Sequence, residues 1–114
     1  MAQMIQRGKE WLRINTQKNT IECSIDGGRS WHIRFSSDCK GSFVDLFDNG
    51  TVILACTSKG IYSSNDEGHS WHSRCTSSMF GFFAQLASDG QNLIAQTSKG
   101  LYYSKDGGRS WHRR

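Results

Sequence analysis

The stretches SIDGGRSWHIR (24–34), SNDEGHSWHSR (64–74) and SKDGGRSWHRR (104–114) are three spellings of one phrase. Their tryptophans, Trp31, Trp71 and Trp111, recur every 40 residues, and the register holds without gaps well outside the phrase. ILACTSKGIYSSNDEGHSWHSR (53–74) lies over LIAQTSKGLYYSKDGGRSWHRR (93–114) with 13 of 22 positions identical, so the repeating unit is much longer than the phrase. The first copy is more diverged, but Ile14 still aligns with Leu54 and Ile94, and Ile21 with Ile61 and Leu101. The chain reads as three copies of one unit and nothing else.

Within the clearest copy, the segments SFVDLF, TVILAC, IYSS and SWHSR are separated by the turn sequences DNG, SKG and NDEG. Short apolar and β-branched runs broken by Gly, Asn and Asp, with no helical period, are hairpin signals. Four strands in a unit of about 40 residues make a propeller blade. The sequence therefore predicts an all-β chain of three four-stranded antiparallel blades, over about 1–36, 37–76 and 77–114 of a single domain. Twelve glycines, no proline and 36% hydrophobic residues agree with short strands, tight turns and a modest core.

The repeated phrase resembles the Asp-box, or BNR repeat, Ser/Thr-x-Asp-x-Gly-x-x-Trp. The matching residues are Ser24, Asp26, Gly28 and Trp31; Ser64, Asp66, Gly68 and Trp71; and Ser104, Asp106, Gly108 and Trp111. The resemblance implies a β-propeller; members include sialidases, receptor domains, photosystem assembly factors and glycan-binding propellers, so it implies little about activity. Turn physics gives these residues a structural task. The aspartate accepts backbone N–H groups between third and fourth strands, the glycine permits positive φ, and the Trp ring covers the turn.

Enzymatic readings find little support. A sialidase-like site calls for an arginine cluster with a Tyr activated by Glu, yet only Glu10, Glu22 and Glu67 exist, and Glu67 stands at a turn-glycine position. His69, His72 and Cys75 have metal-like spacing, but strand alternation sends His72 and Cys75 to opposite faces. His32, His72 and His112 follow each Trp and are expected at solvent or the next blade. No phosphate-loop or nucleophile-elbow motif occurs. Neither metal nor cofactor is expected. Cys23, Cys39, Cys56 and Cys75 form no CxxC pair and are expected as free thiols, Cys39 with Cys75 being the pair to check first. The N-terminal stretch lacks a secretory pattern and no apolar run would span a membrane, which predicts a cytoplasmic location.

Function is therefore sought in the loops. In an up-and-down blade, the turns between second and third strands lie opposite the Asp-boxes. That threading gathers Lys18, Lys40, Lys59 and Lys99, with Arg34, Arg74, Arg113 and Arg114 at the ends of outer strands, on one face of a chain of net charge +4. The expectation is a non-enzymatic binding module whose basic face takes nucleic acid, a nucleotide or an acidic protein surface. No aromatic stacking platform is evident, which argues against a dedicated single-strand binder. Two alternatives stand beside it. One is a lectin-like propeller stacking sugars on Tyr62, Tyr102, Tyr103 or Trp11. The other is an interaction scaffold using Met79 and Phe80 of CTSSMFGFF. Closed propellers need at least four blades, so blades one and three are expected to expose apolar flanks and to close a six-bladed ring as a homodimer, a larger ring or a longer parent chain being the alternative.

Overall fold

A computed structural model describes residues 4–36, 41–49, 52–76 and 81–114. They form twelve strands in three antiparallel meanders. Blade 1 comprises β1 (Met4–Arg7), β2 (Glu10–Asn15), β3 (Thr20–Ser24) and β4 (His32–Ser36). Blade 2 comprises β5 (Phe43–Asp48), β6 (Ile53–Thr57), β7 (Gly60–Ser64) and β8 (His72–Cys75). Blade 3 comprises β9 (Phe83–Ser88), β10 (Leu93–Thr97), β11 (Gly100–Ser104) and β12 (His112–Arg113). Strand order within each sheet follows chain order, as short turns demand.

The core lies between blades. Leu12, Ile14, Ile21 and Cys23 of blade 1 pack on Phe43, Leu46, Ile53, Ala55, Tyr62 and Trp71 of blade 2. One repeat later, Leu54, Cys56, Ile61 and Cys75 pack on Phe83, Leu86, Leu93, Ala95, Tyr102 and Trp111. Period-2 alternation explains this: one face of each sheet meets the preceding blade and the other meets the following one. Cys23, Cys56 and Cys75 are buried free thiols, while the proposed Cys39 partner lies outside the described residues. Burial pushes the Cys56 thiol far above its ordinary range, so it packs as a small apolar group.

The flanks correct one expectation. The positions that carry Leu46, Ile53, Ala55 and Tyr62 in blade 2 carry Gln6, Arg13, Asn15 and Glu22 in blade 1. The first blade's outer flank is thus polar at these positions, with the half-buried rings of Trp11 and Trp31 beside them. Arg13 Nε donates to Glu22 Oε1 at 2.8 Å, Asn15 Nδ2 donates to Glu22 Oε2 at 3.2 Å, and the Arg13 guanidinium sits 4.0 Å from the centroid of the Trp31 ring. Blade 3's outer flank is mixed, with half-buried Ile94 and Tyr103, Leu101 45% exposed, and Gln85 and Asn92 between them.

Each Asp-box is a closed set of hydrogen bonds. In blade 2, Ser64 Oγ accepts from Gly68 N at 2.8 Å and donates to Asp66 Oδ1 at 2.8 Å. Asp66 also accepts from Ser70 N at 2.9 Å and Ser70 Oγ at 2.5 Å, while Trp71 Nε1 donates to Gly68 O at 3.1 Å. Equivalent bonds recur in the other two copies. The serine hydroxyl and backbone donors around Asp26 and Asp66 hold these carboxyls down to about 2, and Asp106 is likewise depressed. Ser64→Ala would leave the buried Gly68 N–H without its acceptor, and is expected to cost about 1–3 kcal/mol in urea unfolding, whereas Ser64→Thr, the alternative residue of the motif, would lose less.

Candidate functional site

The turns opposite the Asp-boxes are built from TSKG at 57–60 and at 97–100. Thr57 Oγ1 accepts from Lys59 N at 3.0 Å and donates to Gly60 O at 3.2 Å, and Thr97 does the same for Lys99 and Gly100 at 3.0 and 2.9 Å. The preceding strand is tied to each turn by two further bonds. Ser42 N donates to Ser58 Oγ at 2.9 Å and Ser58 N to Ser42 O at 3.0 Å. At the same register Phe82 N donates to Ser98 Oγ at 2.9 Å and Ser98 N to Phe82 O at 3.0 Å. Both lysines therefore leave rigid turns.

Between the two turns lies a cavity of about 720 Å³, lined by Lys59, Lys99, Tyr62, Phe82, Thr76 and Gly81 among others. Phe82 is 69% exposed, the most solvent-open large apolar side chain described. The structure thus brings Lys59 and Lys99 together at one cleft between blades 2 and 3. Lys18 is exposed in the blade 1 turn but sits one position earlier, where Asn19 takes the Lys59 place. With φ of 53°, Asn19 donates to Gly41 O at 3.0 Å and accepts from Phe43 N at 2.8 Å. Arg113 is exposed beside the blade 3 turn, its Nη2 4.0 Å from where a Cβ on Gly100 would lie. Lys40 lies outside the described residues.

Three arginines expected on this rim are engaged elsewhere. Arg34 Nη1 donates to Glu67 O at 2.8 Å while its Nη2 pairs with Glu10 at 3.0 Å. Arg74 Nη1 donates to Gly107 O at 2.9 Å, and Arg114 pairs with Asp89 at 3.0 Å. Long arginine stems lie back over the neighbouring blade: Arg34 Cγ comes within 3.7 Å of a Cβ placed on Gly68, and Arg74 Cδ within 3.6 Å of one on Gly108. On the Asp-box face, Arg7 bridges Asp48 at 2.6 Å and Glu67 at 2.9 Å.

The aromatic residues considered for sugar stacking divide. Tyr62 and Tyr102 are 7% and 8% exposed and belong to the interblade cores, which removes them as open platforms. Trp11 is half-buried over its own Asp-box, 3.1 Å from a Cβ placed on Gly28. His32, His72 and His112 face solvent. Among the described residues no group of three or more His, Cys, Asp or Glu side chains is disposed to hold a metal ion. Met79 and Phe80 fall outside the described residues. Missed in the sequence were Phe82, whose apolar neighbours disguised it as core, and the second motif serine, Ser30, Ser70 and Ser110, whose recurrence in all copies was the available signal.

A family model described as BNR/Asp-box repeat matches residues 102–113. The match falls on the third copy of the motif, whose hydrogen bonds recur in the first two. Among solved structures the chain is similar to YCF48 bound to D1 peptide, with 22% identity and a TM-score of 0.69. It is also similar to a GH74 xyloglucanase from Xanthomonas campestris, with 16% identity and a TM-score of 0.66. The chain is covered to 94% and 93%, but spans 37% and 17% of those two proteins. At these identities the likeness shows the propeller-type fold alone. No curated protein matches the chain.

The glycines of the two turns make unequal demands. A Cβ at Gly60, where φ is 132°, would lie 2.2 Å from Cys75 O, whereas at Gly100, where φ is 121°, it would meet only Arg113 Nη2 at 4.0 Å. Gly100→Ala is expected to cost about 1–3 kcal/mol through backbone strain alone, and Gly60→Ala distinctly more, as compared by urea unfolding of the two variants.

Proposed function

We propose that the protein is a non-enzymatic binding module that takes an anionic ligand in the cleft between blades 2 and 3. The observation that carries this reading is the convergence of Lys59 and Lys99, from equivalent rigid turns, on one cavity of about 720 Å³. Cavities of several hundred Å³ with a few placed polar groups are the usual form of small-ligand sites. Two ammonium groups raise the local concentration of anions and make their binding salt-sensitive. A nucleotide, a nucleic-acid segment and an acidic protein surface all meet that requirement; that a fold neighbour is bound to a peptide supports including the last. Lys59→Glu with Lys99→Glu is expected to leave the fold intact, since both residues are exposed. The double variant should weaken binding of a labelled single-stranded oligonucleotide, or of poly-glutamate, at least tenfold at low salt by fluorescence anisotropy. An unchanged affinity in the folded double variant would reject this site.

A second reading, carried by a different observation, is that two copies close a six-bladed ring. Arg34, Arg74 and Arg114 occupy one repeat position, and the first two each donate to the carbonyl that follows the Asp-box aspartate of the next blade. The corresponding receptor for Arg114 is the carbonyl of Gly27. A Cβ on Gly107 would lie 3.1 Å from Arg74 Nη1, while one on Gly27 meets nothing within 4 Å. By the same register, a blade 3 to blade 1 junction sets the mixed flank of Ile94, Leu101, Tyr103, Gln85 and Asn92 against Gln6, Arg13, Asn15 and Glu22. Such a junction is weaker than the two apolar ones and closes reversibly. Light scattering over a concentration series is expected to reach twice the chain mass of 12.9 kDa, with Arg114→Glu shifted towards monomer. A monomer persisting at high micromolar concentration would sink the ring.

A further inference from the structure

The proposed anion site has a feature that simple charge attraction does not call for. Phe82 stands 69% exposed in the wall of the same cavity that Lys59 and Lys99 line. Its counterpart in blade 2 is Ser42, so the ring is not demanded by the repeat. Its counterparts one residue later, Phe43 and Phe83, are both 2% exposed and do the packing of the first strands. Leaving a second phenylalanine in water forgoes the burial of an aromatic side chain. The Phe82 backbone is nevertheless fixed, because its N–H and its carbonyl both bond to Ser98, the residue before Lys99. Gly81 precedes it at φ of 84°, and a Cβ there would come 2.4 Å from Ser98 Oγ, so the approach of the strand to the lysine turn depends on glycine. An aromatic ring and a cationic side chain are thereby held at one place with little freedom in the backbone between them.

We infer that this cleft binds a nucleoside phosphate, its base against the Phe82 ring and its phosphate between Lys59 and Lys99. The inference rests on the anion-binding reading above and adds the class of ligand. Every nucleobase has a π-face, so a ring of this kind accepts bases with little sequence preference, while the lysines supply the charge. Acidic peptides satisfy the lysines equally but give the ring no regular partner, which makes the nucleoside phosphate the better fit. The unit is either a free nucleotide or one residue of a single strand.

The test uses the whole chain, a fluorescein-labelled oligo-deoxythymidine ten-mer, and unlabelled ADP, inorganic phosphate and poly-glutamate as competitors. The ten-mer is expected to bind at low salt with an affinity that falls as salt rises. Phe82→Ala should weaken binding about 5- to 150-fold, the range that loss of one base–aromatic stack produces, while Phe82→Trp retains it. ADP displacing the ten-mer far better than phosphate at equal concentration identifies free nucleotide as sufficient. Displacement only by a second oligonucleotide assigns the site to single strands. If Phe82→Ala binds as well as the parent while Lys59→Glu with Lys99→Glu does not, the anion site stands and the nucleobase inference falls. Poly-glutamate binding with the same lysine dependence, alongside no ten-mer binding, likewise overturns the inference in favour of an acidic protein. Absence of binding by any of these probes overturns both readings.

Discussion

The bond on which the rest of this structure depends is the one from the Asp-box glycine N–H to the serine hydroxyl, made at 2.8, 2.8 and 2.9 Å in the three blades. It closes the turn that leads from the third strand to the fourth, and so decides where the tryptophan enters the blade. Once that turn is closed, Trp71 and Trp111 lie with 2% and 4% exposure against the preceding blade, beside Phe43 and Phe83. The aspartate serves the same turn by accepting from two serines and the backbone. Because its folded-state carboxyl is depressed to about 2 in Asp26 and Asp66, its contribution is fully present above the ordinary carboxylate range and fades only as pH falls towards that value. The turns are therefore indifferent to physiological changes of pH.

Stacking then follows from alternation, and charge fastens the stack from outside. Arg34 and Arg74 reach across each junction to a carbonyl of the next Asp-box, so the turn that shapes one blade is also the anchor for its neighbour. The first junction adds Arg7, with Asp48 and Glu67, over the Asp-box end. The side chain of Arg34 is only 11% exposed, and a guanidinium so placed is tolerable because carbonyl and carboxylate acceptors surround it. These same arginines, read as linear charge, look like members of a basic rim.

That difference measures how much could be read from the chain alone. Strand count, antiparallel meander and the placement of the Asp-boxes followed from a 40-residue period and from turn residues, because both are local properties repeated three times. Lys59 and Lys99 followed equally well, since a residue at the tip of a two-residue turn has nowhere to point but outward. Arg34, Arg74 and Arg114 did not, because a long side chain can return along its strand, and its direction is set by a partner on another blade. Phe82 was hidden for the converse reason: in a run of apolar letters nothing local separates the ring that packs from the ring that does not. The polar flank of blade 1 was in plain view as Arg13, Asn15 and Glu22 under Ile53, Ala55 and Tyr62, but its meaning needs the knowledge of which face meets which blade.

The division of labour between the two ends of each blade explains how such a fold carries function at all. At the Asp-box end, every residue of the motif is committed: the serines, aspartate, glycine and tryptophan bond to one another, and the outer arginines bond to their backbone. Change there propagates into the strands. At the other end the turns are closed by Thr57 and Thr97 hydroxyls and by Ser58 and Ser98, all short side chains bonding to backbone. Phe82 enters these bonds through its backbone. The ring of Phe82 can therefore stand where blade 2 has Ser42 without disturbing those bonds, which places a distinctive residue at the cleft.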